Sequence, residues 1–196
     1  MLRIGLTGGL ASGKTTVAGL LRELGASVFD ADEIVRNLYG AGGDGARAAR
    51  DVFGEEALQP DGSVDRVRVA ALVFSDPGRR RRLEERVHPL VRAELQKKFH
   101  EAEASGADVA VAEASQILEA GTQGNYDRIL LVTAPMEERV SRWKAKGGDP
   151  EDARGRMAAQ ILPDEAARHA HDAIVNDGTL AELARKVEAL YRTWTR

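Results

Sequence analysis

Gly8-Gly9-Leu10-Ala11-Ser12-Gly13-Lys14-Thr15 is the stretch on which the rest of this chain is read. It fits G-x-x-x-x-G-K-[ST], in which glycines at both ends let the backbone turn tightly and approach a ligand without a Cβ in the way. Such a turn aims successive backbone N–H groups inward, a nest for phosphate oxygens. Lys14 adds a point charge for the β- and γ-phosphates of a nucleotide, and the Thr15 hydroxyl is of the kind that ligates Mg²⁺. Gly8, Gly9, Ala11, Ser12, Gly13, Lys14, Thr15 and Thr16 are therefore the candidate nucleotide-binding residues, with Thr15 the candidate metal ligand.

The flanks agree with that reading. Leu2–Thr7 alternates apolar with small or polar residues, as a strand does, while Val17, Leu20, Leu21 and Leu24 fall at helical spacing before Gly25. Strand, loop and helix in that order set the partial positive charge of a helix N-terminus beneath the phosphates. A glycine-rich turn that binds nothing is the competing reading, and the coincidence of strand, spacing, Lys and Thr argues against it.

The whole chain narrows the class. At 196 residues it can bury a sizeable core, and 43% hydrophobic with 30% charged residues is ordinary for a globular protein. A net charge of −3 gives no reason to expect nucleic acid or a membrane as partner. The absence of cysteine excludes disulfides, zinc-thiolate sites and thiol chemistry. With no signal-peptide layout and no apolar run of about 20 residues, the expectation is a cytoplasmic protein, a monomer or weak homo-oligomer.

Further strands are expected at 26–29, 107–112, 128–132 and 173–175, separated by helical patterns. The stretch Gly40–Gly45 reads as a loose linker, and 46–53 as a helix. From 65 to 105 the pattern is helical throughout, with Val67, Ala70, Ala71 and Phe74 as one apolar face and an interruption at His88-Pro89, because the residue before proline avoids the α region. Residues 137–146 and 151–160 read as two charged helices around Gly147-Gly148, and Thr179 with Glu182 forms a capping box before the final helix. Strands alternating with helices imply an α/β fold with a parallel sheet, whose ligands sit beyond the carboxyl ends of the strands. The glycine-rich loop, Asp30-Ala31-Asp32, Glu113 and Asn176 all follow strand ends.

A phosphoryl acceptor needs a carboxylate to take its proton. Asp30 and Asp32, two apart in what reads as an extended segment, point the same way, and Asp32 is the candidate base, with an N-cap or turn role as the plain alternative for Asp30 and a cap role as the plain alternative for Asp32. Arg139, Arg142, Lys144 and Lys146 before the glycine pair, with Arg154 and Arg156 after it, suggest a cationic lid; a solvated hairpin laced with salt bridges is the plain alternative. The run Arg79–Arg82 reads first as a solvated face, and His88 as either a ligand contact or a satisfied turn histidine.

These residues resemble the dephospho-coenzyme A kinase family over essentially the full length. The matching pieces are Gly5–Gly9 with Gly13–Thr16, Asp30–Asp32, Asp61–Ser63 with Asp65-Arg66, Val73–Pro77, His88–Val91, Glu119 with Gly121, Arg142, Arg156 with Gln160, and Asn176 with Gly178. The resemblance implies a five-stranded parallel sheet of the P-loop kinase type, with a helical substrate-binding insertion and a helical lid. Its boundaries would be 1–39, 107–136 and 161–196 for the core, 40–106 for the acceptor domain and 137–160 for the lid. It implies ATP-Mg²⁺ phosphorylation of the ribose 3′-hydroxyl of dephospho-coenzyme A, with Asp32, Lys14 and Arg142 as catalytic residues. Asn176 would lie near the adenine of ATP, and Asp32, His88, Glu119 and Arg81 would contact the acceptor. Two departures stand out: Ser115-Gln116 replaces the family's Pro-Leu after the third strand, and Lys146 occupies the place of a second lid arginine. A kinase for another nucleotide or small-metabolite hydroxyl, and a low-turnover ATP-binding regulatory module, are the alternatives.

Overall fold

The structure, a computed structural model, describes residues 1–195. Five strands form one sheet: β1 (Leu2–Thr7), β2 (Ser27–Asp30), β3 (Val109–Glu113), β4 (Arg128–Thr133) and β5 (Asp172–Val175), in the order β2-β3-β1-β4-β5. β1 pairs in parallel with β3 and β4, and β4 in parallel with β5. A parallel neighbour needs a crossover, and helices supply it. α1 (Lys14–Glu23) and α9 (Leu180–Trp194) pack their apolar stripes on Ile4, Leu6, Val109, Val111, Leu130, Val132 and Ile174, one face of the sheet. α6 (Met136–Ala145), α7 (Pro150–Ala158) and the short α8 (Pro163–His169) follow β4. Val140, Ala153 and Met157 make a small core between α6 and α7, with Trp143 packed on it and the Arg156 guanidinium 5.6 Å from the Trp143 ring centroid. At the opposite, N-terminal end of β5, Asp172 accepts from both Arg128 and the Trp194 indole. No helix among the described residues is long and apolar enough to cross a membrane.

The chain divides into two compact units, residues 1–29 with 101–196, and residues 30–100. The second unit is helical: α2 (Ala31–Leu38), α3 (Asp44–Phe53), α4 (Arg66–Ser75) and most of α5 (Pro77–Ala104), around Ala49, Phe53, Val69, Leu83 and Val87. Three expectations are corrected here. Gly40–Gly45 is no loose linker: Gly43 donates to the Gly40 carbonyl, Gly40 to Asn37, and α3 begins at Asp44, since small residues let two helices meet across a tight turn. The face Val67–Ala70–Ala71–Phe74 is exposed, Phe74 by 91%, while Val69, Leu72 and Val73 face the core. Helical spacing identifies a stripe, but both stripes of α4 are apolar. Finally, α5 runs unbroken through His88-Pro89. Leu83, Val87 and Val91, spaced by four residues across the proline, pack on one cluster, and only a continuous helix keeps them on one side.

Pro89 leaves the Glu85 carbonyl without its usual donor, at a cost to the helix of about 3 kcal/mol, offset in part by a stiffer unfolded chain. Pro89→Ala is expected to raise unfolding stability by about 1–2 kcal/mol, read from urea midpoints. Burial pushes the Tyr126 phenol up to about 12. The unfolded phenol titrates near 10, so the unfolded chain loses its proton first, and stability falls as pH rises from about 10 towards about 12. Tyr126→Phe should remove about 1 kcal/mol of that alkaline loss, seen by comparing urea midpoints at about pH 9 and about pH 11.

Candidate active site

The glycine-rich loop runs from the end of β1 into α1. Gly13, the N-cap of α1, has φ 104°, and a Cβ there would strike the Asn176 side-chain nitrogen. No side chain caps α1, so the N–H groups of its first turn remain available to an anion, on the positive end of the helix dipole, while in the loop the Ser12 N–H donates to the Gly9 carbonyl. Lys14 Nζ donates to the carbonyls of Gly8 (2.7 Å) and Gly9 (3.3 Å), which folds the ammonium back over the loop. Ala11 is the only non-glycine with positive φ among the described residues, at 55°. The left-handed region costs a residue with a Cβ about 1–2 kcal/mol, so the surroundings must hold it.

They do so from three directions. The buried Asn176 side chain, just beyond β5, donates to the Ser12 carbonyl at 2.9 Å. Arg142 on α6 reaches the same carbonyl at 3.4 Å and donates to the Asn176 carbonyl (2.9 Å) and to Glu138 Oε2 (2.7 Å). Arg139, one helical turn earlier and 7% exposed, donates through Nε to the Leu10 carbonyl (2.8 Å) and through Nη2 to Gln160 Oε1 (3.0 Å). Gln160 Oε1 also accepts from the Leu10 N–H at 2.9 Å. Burial draws the Arg139 guanidinium below its usual range.

At the exit of β3, Glu113 Oε1 accepts from Thr15 Oγ1 at 2.8 Å. The pair presents hard oxygen donors at the head of α1, the chemistry that suits Mg²⁺, an ion bound by few protein ligands alongside phosphate and water. Among the described residues no group of three or more His, Cys, Asp or Glu side chains gathers as a metal site. Beside the loop lies a cavity of about 400 Å³, bounded by Gly8, Gly9, Arg139, Gln160, Leu118 and Glu119 among others.

The structure thus gathers Gly8, Gly9, Ala11, Ser12, Gly13, Lys14, Thr15, Arg142 and Asn176, and brings Glu119 to the same cavity wall as Gly8 and Gly9. Thr16 is exposed on α1. Asp32, Arg81 and His88 belong to the helical unit. Asp32 is exposed in the first turn of α2 rather than in an extended segment, which corrects the same-side pairing with Asp30. Asp30 is the N-cap of α2, accepting from the N–H groups of Asp32 (2.8 Å) and Glu33 (3.3 Å) and pairing with Arg36. Arg81 and His88, seven apart on α5, are exposed on one face of that helix. The sequence places Arg139 in a cationic lid, Gln160 among the residues matching the family, and Glu113 at a strand end on the ligand side; it does not show that Arg139 and Gln160 touch the loop or that Glu113 partners Thr15. The signals were present: Arg139 is three residues before Arg142, hence on the same helix face, and Glu113 ends a central strand.

Strand, phosphate loop, helix and a charged helical pair on a five-stranded parallel sheet define a P-loop kinase fold. The chain matches the family described as dephospho-CoA kinase over residues 2–182. It is 42% identical over 190 residues to a dephospho-CoA kinase of Symbiobacterium thermophilum, covering 96% of this chain and 80% of that one. It is 39% identical over 189 residues to the dephospho-CoA kinase of Geobacter sulfurreducens, covering 96% of each. A crystal structure of a Thermus thermophilus protein superposes with a TM-score of 0.85 at 35% identity, over 98% of this chain and 97% of that one. The chain belongs to the dephospho-CoA kinase family.

Asn176→Ala leaves the Ser12 carbonyl without its buried donor. It is expected to lower stability by about 1–3 kcal/mol, measured by urea unfolding, and to weaken nucleotide binding, measured by calorimetry.

Proposed function

We propose that this chain transfers the γ-phosphoryl group of ATP to the ribose 3′-hydroxyl of dephospho-CoA, yielding CoA and ADP. The observation that carries the reading is a phosphate nest with Lys14 and Thr15 in place, in a chain that belongs to this family. The 3′-oxygen bonds to the γ-phosphorus, the bond from phosphorus to the β,γ-bridging oxygen breaks, and the hydroxyl proton passes to Asp32. Lys14, with the amides of the loop and of the first turn of α1 that are not already engaged within the protein, holds the β- and γ-phosphates. Arg142 adds positive charge where the phosphoryl group carries its negative charge in transit. Asn176 borders the adenine end.

Mg²⁺, when bound, neutralises phosphate charge and orients the triphosphate; Thr15 would hold it, with Glu113 behind. His88, Arg81 and Glu119 contact the acceptor, residues 40–106 form the acceptor domain, and 137–160 close as a lid. An ATP-using enzyme of this kind works in the cytoplasm, as a monomer or weak homo-oligomer, with neither nucleic acid nor membrane as partner. Asp32 suits the role of base because its carboxylate is exposed in the first turn of α2, while Asp30 supplies the cap.

The test is ADP release and CoA formation with ATP, Mg²⁺ and dephospho-CoA, against a panel of other hydroxyl acceptors. Dephospho-CoA should be the preferred acceptor, and Asp32→Asn should lower kcat by about 10²- to 10⁴-fold with a small change in the KM for ATP. A better acceptor in the panel would make the chain a kinase for that compound. ATP binding without acceptor-dependent ADP release would make it a binding module.

A further inference from the structure

We infer that Arg139 is a positioning residue for the donor phosphates, acting through the peptide that joins Leu10 to Ala11. The assignment rests on the reading of the loop as the ATP site and adds what holds that loop in shape. Both backbone groups of Leu10 are clamped, the N–H by Gln160 Oε1 at 2.9 Å and the carbonyl by Arg139 Nε at 2.8 Å. The Arg139 Nη2 bond to the same Gln160 oxygen, at 3.0 Å, closes the network into a ring. Gly9 makes room for it, since a Cβ there would strike Arg139 Nη2.

The clamped peptide leads directly into Ala11, the residue held at φ 55°. Arg139 is 7% exposed and takes part in none of the ion pairs among the described residues; its bonded donors are turned to the loop and to Gln160. A guanidinium desolvated for two oxygen acceptors is a poor way to add stability and a good way to fix a backbone. Without the clamp, Ala11 relaxes from the left-handed region and the nest loses its inward-facing N–H groups. The same ring ties the loop to α6 and to the segment after α7.

The test is a double-mutant cycle read by the Kd for ATP-Mg²⁺, with calorimetry on wild type, Arg139→Met, Ala11→Gly and the double variant. Glycine adopts positive φ without penalty, so it removes the strain that the clamp opposes. Arg139→Met should weaken ATP about tenfold in the wild-type background, and about threefold or less in the Ala11→Gly background. An equal factor in both backgrounds, or an unchanged Kd with only a lower melting midpoint, would overturn the assignment in favour of plain packing. Wild type that binds no ATP overturns the reading of the loop and this assignment together; ATP binding without coupling overturns this assignment alone. If Arg139→Met melts too low to assay, Gln160→Met breaks the clamp from a half-buried position and gives the same comparison.

Discussion

The carbonyl oxygen of Ser12 is where the β4-β5 side of the sheet meets the phosphate loop. It lies between β1 and α1, and it accepts from Asn176, which follows β5, and from Arg142 on α6. β1 sits at the centre of the sheet and β5 at its edge, so this contact ties the loop to a strand two positions away. The close approach demands a residue without Cβ at position 13, and Gly13 supplies both the space and the left-handed turn that starts α1. Loop shape is thus a tertiary property. The motif permits the conformation; partners more than 120 residues away enforce it.

That division explains what could be read in the sequence. The spacing of Gly8, Gly13, Lys14 and Thr15 carries its own chemistry, and the parallel sheet followed from alternating strand and helix patterns. The strands were also legible to within a residue or two, because buried parallel strands are near-continuous apolar runs. Local rules failed where a longer-range contact outweighed them. Pro89 ought to end a helix, but Leu83, Val87 and Val91 pack on one cluster across it. The glycines at 40–45 looked slack, but there they serve close packing between α2 and α3. On α4 two apolar stripes compete, and nothing within ten residues says which one meets Phe53 and Val87.

The candidate site divides in the same way. Lys14 and Thr15 are legible because the motif names them. Asp30 and Asp32 were legible as a pair, but the allocation of cap and open carboxylate depends on α2 beginning at Ala31, a boundary of one residue. Arg139 and Gln160 are 21 apart in sequence and meet only because α6 and α7 fold back on one another. In the sequence Arg139 reads as one cation of a lid and Gln160 as one residue of the family pattern, and neither spacing says that the two meet. Their partners are backbone groups of the loop, which carry no side-chain identity to search for.

The chain contains two tryptophans, and the fold gives them different assignments as light emitters. Trp143 lies in the α6–α7 core under a guanidinium, against the helices that brace the loop. Trp194 lies at the far end of the sheet, with its indole donating to Asp172. Emission from the first follows rearrangement of α6 and α7, and emission from the second follows whether α9 stays docked. A single-tryptophan variant at either position therefore separates, in one optical channel each, motion near the loop from loss of the fold.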